Sequence, residues 1–237
     1  MMKKKSFKDF LEYAFPTKDP YKRKDFGWVT NSVKYLAIRV SYLLYLLGIN
    51  ANQISLFAAL LTVPTFTIIY NGVFEQDINL FIFGFALMAL ILFIDFADGP
   101  LSKISHYKFD VGNEVDNLPP DIVFFGTLTI LGLQTNNIYL TIAFIANAIF
   151  IITYQRSTVD SIPKGKDWLL KLIHSRLSLL SVRVYVCIIF PAVSITYILS
   201  EDTGELVAKI LVIFYIICSF IWVHATLQKK IAKRNRN

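Results

Sequence analysis

The sequence predicts an all-α, polytopic membrane protein with six transmembrane helices, preceded by amphipathic helices that lie in the membrane interface. Three observations predict it. Of 237 residues, 55% are hydrophobic and only 17% charged, and the mean hydropathy is +0.52, too apolar for an ordinary soluble domain. The apolar residues gather into six segments, roughly 53–70, 79–101, 113–133, 138–155, 183–199 and 206–226, each near the length of about 20 residues that carries a helix across a bilayer. The connections alternate between basic and neutral or acidic, as expected when Lys and Arg stay on the cytoplasmic side. Short alternating segments of barrel type are absent.

The N-terminal region, 1–50, opens with SFKDFLEYAF, in which Phe7, Phe10, Leu11, Ala14 and Phe15 fall on one helical stripe with lysines and acids opposite. Such a helix lies in the interface and does not cross it. Pro16 and Pro20 end it, and a second amphipathic stretch follows from Asn31 to Gly48, where Lys34 and Arg39 interrupt the apolar run and predict a surface-lying or obliquely inserted helix. No secretory leader is expected, because the first twenty residues lack an uninterrupted apolar core.

The six-span domain, 51–228, and a basic tail, 229–237, complete the chain. Connections 71–78, 134–137 and 200–205 contain no Lys or Arg, whereas those carrying Lys103 and Lys108, and Arg156, Lys164, Lys166, Lys171 and Arg176, are basic. Both termini are therefore expected on the cytoplasmic side. The segment 166–180 reads as a cytoplasmic amphipathic helix anchored by Trp168. A net charge of +7 placed beside spans suits anionic lipid and argues against nucleic acid as a partner. Cys187 and Cys218 fall inside predicted spans and behave there as small apolar side chains. No internal repeat is evident.

Chemistry concentrates at the junction of the second and third spans. Asp95 and Asp98 end one apolar run, and Asp116 and Asp121 open the next. Ionised carboxylates at membrane depth are costly and mark a site by default. On a helix Asp95 and Asp98 lie about 60° apart, with Gly99 and Ser102 on the same face. Gly112 and Asp116 share a face of the following helix. Clustered oxygen ligands without His or Cys favour Mg²⁺ or Mn²⁺, and two such ions about 4 Å apart clamp a transferring phosphoryl group. The plainer alternative is that these acids cap helix ends or pair with Lys103 or Lys108. His106 beside the cluster reads as a solvated loop residue, and His174 and His224 as interfacial ones.

The stretch DFADGPLSKISHYKFDVGNEVDNLPPD, 95 to 121, resembles the signature of the CDP-alcohol phosphatidyltransferases, D-x2-D-G-x2-A-R-x8-G-x3-D-x3-D. Asp95, Asp98, Gly99, Gly112 and Asp116 match in register; Ser102 and Lys103 stand where Ala and Arg are expected; the fourth Asp falls on Pro120, with Asp121 one residue late. NANQIS resembles the family's P-N-x-[ST] opening, which would put Asn52 and Ser55 near the nucleotide. TYQRST resembles a pattern of members using phosphorylated acceptors, which would make Arg156 a phosphate ligand, although it is equally a positive-inside anchor.

The resemblance implies that the hydroxyl of an acceptor alcohol displaces CMP from a CDP-linked donor such as CDP-diacylglycerol, in phospholipid biosynthesis. It also implies a homodimer, two metal ions held by Asp95, Asp98, Asp116 and Asp121, and a CDP site shaped by Gly99, Ser102, Lys103 and Gly112. Asp121 would be the base that takes the acceptor's proton. Lys103 keeps the charge of the expected Arg without its planar fork. Asp121 comes to the place of the fourth Asp only if Pro119 and Pro120 induce a one-residue π-bulge; without it, Asn113, Glu114 or Asn117 are the substitutes. Two other functions are open to this sequence: a catalytically impaired homologue that binds CDP-lipid or metal, and an ion-coupled transporter or channel, which would show symmetrical halves.

Overall fold

A computed structural model describes residues 6–15, 28–104, 112–158 and 185–234; the side chains of several, among them 112–121 and 151–158, lie outside that description. Among the described residues the chain is helical, with no strand. The helices are α1 (Phe7–Ala14), α2 (Trp28–Leu47), α3 (Ala51–Phe74), α4 (Ile78–Ile104), α5 (Gly112–Leu133), α6 (Ile138–Thr158), α7 (Phe190–Leu199), entered through a π-helical turn at Tyr185–Ile189, and α8 (Glu201–Arg234). They fall into two compact units, one of residues up to Ile69 with Ile82–Val123, the other of Tyr70–Phe81 with Phe124 onward. The expected helix at 166–180 lies outside the described residues.

In the first unit, α1 starts where Ser6 and Asp9 cap each other: the Asp9 N–H donates to the Ser6 hydroxyl and the Ser6 N–H to the Asp9 carboxylate, which satisfies two donors that a helix start leaves open. Its apolar stripe meets the rings of α2. Phe10 is fully buried, with Tyr42 edge-on at 5.4 Å and Phe7 on the same ring at 5.1 Å. Ala37, Ile38 and Ser41 are buried on α2 as well, and the Ser41 hydroxyl donates to the Ala97 carbonyl of α4.

Helix α2 ends because Gly48 takes φ +79°, open to glycine without a Cβ penalty. Its N–H donates to the Tyr45 carbonyl at 3.1 Å and the Ile49 N–H to the Leu44 carbonyl at 3.0 Å, the paired closure that uses up the last carbonyls of a helix. Two residues on, Asn50 caps α3: the Gln53 N–H donates to its side chain at 2.9 Å, and the Gln53 side chain accepts from the Asn50 N–H at 3.1 Å.

The second unit contains two turns built on one plan. Gln76 and Asn136 both have positive φ, +58° and +49°, and the next residue in each case, Asp77 or Asn137, caps the following helix by accepting two N–H groups. A Cβ on Gly72 would stand 2.4 Å from the Phe81 nitrogen, and one on Gly132 2.9 Å from the Thr141 Cγ2. These turns share a pattern, G-x3-[QN]-[DN]-I-x-L, at 72–80 and 132–140, a local repeat not anticipated from the sequence. Gly204 serves the α7–α8 turn in the same way: a Cβ there would stand 2.2 Å from the Tyr197 Cα. Around these turns Gln76 donates to Glu201, Gln134 to Ser194, and the Phe74 ring meets Tyr197 edge-on.

Among the described residues three helical stretches are long and apolar enough to cross a membrane: Ala51–Phe74, Ile78–Ile104 and Glu201–Ile221. Ile122–Leu133, Ile138–Phe150 and Tyr185–Leu199 are apolar but shorter. Rows of large apolar side chains face outward, including Phe57, Leu60 and Val63 on α3 and Ile210, Phe214 and Ile217 on α8, an arrangement suited to lipid and unfavourable in water.

Gly204→Ala is expected to lower thermal stability in detergent micelles, because the new methyl meets backbone and such overpacking costs about 1–3 kcal/mol. Gly99→Ala, with nothing within 4 Å of the added carbon, is expected to leave the melting temperature unchanged or slightly raised. Equal melting temperatures for the wild type and Gly204→Ala would show that the α7–α8 approach is not close.

Candidate functional site

The start of α3 and the end of α4 carry the candidate site. Asn50 and Gln53 fix where α3 begins, and that start sets the rotation of each later residue at about 100° per position. Ser55 is thereby turned inward, fully buried, and Asn52 outward into exposure. On α4, Asp98 is 5% exposed. The Ser55 hydroxyl reaches the Asp98 Oδ2 at 2.9 Å and the Ala51 carbonyl of its own helix at 3.1 Å.

The flanking turns of both helices bury apolar side chains. Ala51, Ile54 and Leu101 form a buried cluster, with Leu44, Tyr45, Ile49 and Ile94 packed against it. A carboxylate beside such a cluster is penalised unless hydrogen-bonded, and the Ser55 hydroxyl supplies one bond. Asp95, half-buried, lies one turn earlier on α4.

The other α4 positions differ in what they offer. Where a Cβ of Gly99 would stand, no described atom lies within 4 Å, so no described neighbour requires the glycine. The Ser102 hydroxyl donates to the Gly99 carbonyl at 3.0 Å and is turned back on its own helix. Lys103 is exposed, its Nζ 4.5 Å from the centroid of the Phe15 ring. Pro100 lies inside α4, which nevertheless continues to Ile104.

On α5, Gly112, Asp116 and Asp121 lie on one helix whose backbone is described and whose side chains at these positions are not. The π-bulge expected at Pro119 and Pro120 is not found: the backbone is α-helical from Gly112 to Leu133. The π-helical turn lies elsewhere, at Tyr185–Ile189. In an unbroken α-helix Asp121 stands about 140° around the axis from Asp116, whereas Gly112 and Asn113 remain within about 60° of it. Proline at 119 and 120 removes N–H donors from the carbonyls four residues earlier. That loss does not shift the helical register here.

Among the described residues no three of His, Cys, Asp and Glu converge; the expected metal set needs Asp116 and Asp121, whose side chains lie outside the description. Arg156 falls in the last turn of α6, its side chain likewise outside. His106 and His174 lie outside the described residues, and His224 is exposed on α8. Cys187 and Cys218 form no disulfide. Sequence reasoning overlooked the contacts of Ser41 with Ala97 and of Phe15 with Lys34 and Lys103; the only signal for either was a polar or aromatic residue at the edge of an amphipathic stripe.

Ser55→Ala is expected to destabilise the metal-free protein by roughly 1.5–3 kcal/mol, as for loss of one hydrogen bond to a charged group, read as a lower melting temperature in micelles. Ser55→Thr keeps the hydroxyl and is expected to recover part of the loss. An unchanged melting temperature in Ser55→Ala would mean that the bond contributes nothing.

No known protein family, curated protein or solved structure matches this chain in comparison, so what the site does follows from its own residues.

Proposed function

We propose that the protein is an integral membrane transferase with six spans, formed by α3, α4, α5, α6, the π-helical turn with α7, and α8, which moves a phosphoalcohol group from a CDP-alcohol such as CDP-diacylglycerol to the hydroxyl of an acceptor, releasing CMP. The observation that carries this proposal is Asp98: a buried carboxylate held by Ser55 from another helix, next in sequence to Gly99, whose added Cβ would meet no described atom. A purely structural acid has little reason to be buried at an apolar helix junction. The resemblance of 95–121 to the CDP-alcohol phosphatidyltransferases supplies the reaction class.

The donor set suits a hard cation. Asp95, Asp98 and Asp116, with Asp121, would hold Mg²⁺ or Mn²⁺, two ions in all, and divalent cations bound there would withdraw charge from the diphosphate and stabilise the departing CMP oxygen. Ser55 restrains the Asp98 carboxylate, because its hydroxyl holds one oxygen. Such outer hydrogen bonds orient ligating groups. Gly99 admits the diphosphate close to the α4 backbone, and Lys103 adds positive charge one turn further along. In the transfer step an acceptor oxygen bonds to phosphorus, the bond from phosphorus to the CMP oxygen breaks, and a carboxylate takes the hydroxyl proton. Asp121 is proposed for this last role, and Arg156 for the phosphate of a phosphorylated acceptor.

Positive-inside placement would set both termini and the carboxylates on the cytoplasmic side, where CTP-derived donors are made. α1 and α2 would rest in that interface, and the active form would be a homodimer.

One observation favours a second function. Because α5 is α-helical through Pro119 and Pro120, Asp121 is rotated away from the Asp116 face. A chain that binds CDP-lipid and metal without turnover would tolerate that rotation; a transferase would need the acceptor to approach from the Asp121 side.

Purified protein in micelles with Mn²⁺ or Mg²⁺ is expected to release CMP from CDP-diacylglycerol when a suitable acceptor is present, and chelation with EDTA to abolish it. Asp98→Asn is expected to stop release, Asp121→Asn to slow it by roughly 10²–10⁴-fold as for a general base, and Gly99→Ala to raise the donor KM without lowering stability. CDP-lipid binding without metal-dependent CMP release, across serine, inositol, glycerol 3-phosphate and phosphorylated inositol, would decide for the binding protein.

A further inference from the structure

The turn of α4 that carries Asp98 is weak by composition and is supported from outside. Gly99 follows the aspartate, and glycine loses more conformational freedom on folding than any other residue. Pro100 comes next and brings no N–H for the Phe96 carbonyl one turn back. Helix α4 nevertheless continues to Ile104. Two serines from other helices meet it here, at successive residues. The Ser41 hydroxyl of α2 bonds the Ala97 carbonyl, and the Ser55 hydroxyl of α3 bonds the Asp98 Oδ2 at 2.9 Å. Each also lies against the carbonyl four residues back on its own helix, Ala37 at 2.7 Å for Ser41 and Ala51 at 3.1 Å for Ser55.

Both contacts come from one local pattern. Ala37 and Ser41 on α2, and Ala51 and Ser55 on α3, repeat A-x3-S, and all four are buried, as are Ala97 and Asp98. Small residues one turn apart let helix backbones approach closely, and a hydroxyl on so short a side chain reaches a neighbouring backbone only across such an approach. A carbonyl oxygen has two lone pairs, so Ala97 can accept from Ser41 as well as from its own helix. Ser41 thus holds the backbone immediately before Asp98, and Ser55 holds the carboxylate itself.

We propose that Ser41 is a positioning residue for Asp98: by tying the α4 main chain to α2 one residue before the carboxylate that Ser55 holds from α3, it sets the direction in which that carboxylate meets a divalent cation. The two ties are complementary. Ser55 restrains one oxygen of a side chain that moves with its backbone, and Ser41 restrains the backbone. Hydrogen bonds to a ligating group orient it and tune its affinity for metal; here part of that orientation passes through the main chain. That the carboxylate meets a cation rests on the transferase proposed above, whereas the seat formed by the two serines does not.

The first test needs no metal. With the full-length protein in micelles and EDTA, Ser41→Ala and Ser55→Ala are each expected to lower the melting temperature. The double variant is expected to lower it by less than the sum, because loss of either tie loosens the turn that the other holds. Thr65→Val is the control: the Thr65 hydroxyl bonds the Leu61 carbonyl of its own helix at 2.7 Å, about 15 Å along α3 from Ser55, and its effect is expected to add to that of Ser41→Ala. An unchanged melting temperature in Ser41→Ala, or additive losses for Ser41→Ala and Ser55→Ala, would overturn the shared seat. The second test is Mn²⁺ binding, read by electron paramagnetic resonance. Ser41→Ala is expected to weaken it about threefold to tenfold, no more than the low end of the effect of removing an outer partner of a metal ligand. Ser41→Thr and Ser41→Val add the same methyl and differ in the hydroxyl alone. Ser41→Thr is expected to bind Mn²⁺ more tightly than Ser41→Val, and equal binding would assign the effect to packing and remove the positioning role. Elution at the wild-type volume in size exclusion verifies folding of each variant. A wild type that binds no Mn²⁺ would overturn the cation, and the transferase with it, while the melting cycle still decides the seat. Mn²⁺ binding that depends on Ser41 without release of CMP removes the transfer reaction and retains the positioning role.

Discussion

A carboxylate withdrawn from water beside apolar side chains is the constraint on which the first unit turns. Asp98 is 5% exposed beside Ala51, Ile54 and Leu101, and the Ser55 hydroxyl at 2.9 Å supplies a hydrogen bond there. Ser55 reaches that position only because α3 starts where it does. Gly48 closes α2, Asn50 and Gln53 cap α3, and a start one residue earlier or later would rotate Ser55 by about 100°. Short-range turn chemistry thus determines which side chain meets the buried acid.

The same α4 segment holds features of opposite character close together. Gly72, Gly132 and Gly204 are glycines because a neighbouring element passes within contact distance of where a side chain would stand, whereas a Cβ on Gly99 of α4 would meet no described atom. A glycine within a helix lowers its stability by about 1 kcal/mol relative to alanine. Beyond it, Lys103 and Lys34 both approach the Phe15 ring, so the end of the N-terminal amphipathic helix packs beside the end of α4.

Helix α5 poses the sharper question for catalysis. Two successive prolines suggest a disturbed helix, and a bulge would have brought Asp121 into line with Asp116. The backbone remains α-helical, since proline deletes hydrogen bonds without obliging the chain to insert a residue. The acidic positions of α5 therefore divide between two sides: Asp116 shares a face with Gly112, and Glu114 and Asp121 share another.

The apolar helical segments and the stripe of α1 were legible in the sequence, because each rests on hydropathy and spacing within a few residues; the caps at Ser6, Asn50, Asp77 and Asn137 are equally local and went unread. The repeated turn at 72–80 and 132–140 was legible too, in a glycine, an amide and a capping residue, but is obscured by dissimilar side chains between them. Only tertiary packing decided that Ser55 meets Asp98 across a separation of 43 residues, that Tyr197 abuts Gly204, and that Lys34 and Lys103 share one ring. Such pairings depend on how helices rotate and pack against one another, and a periodic apolar pattern marks which face of a helix is buried without naming the residue it is buried against.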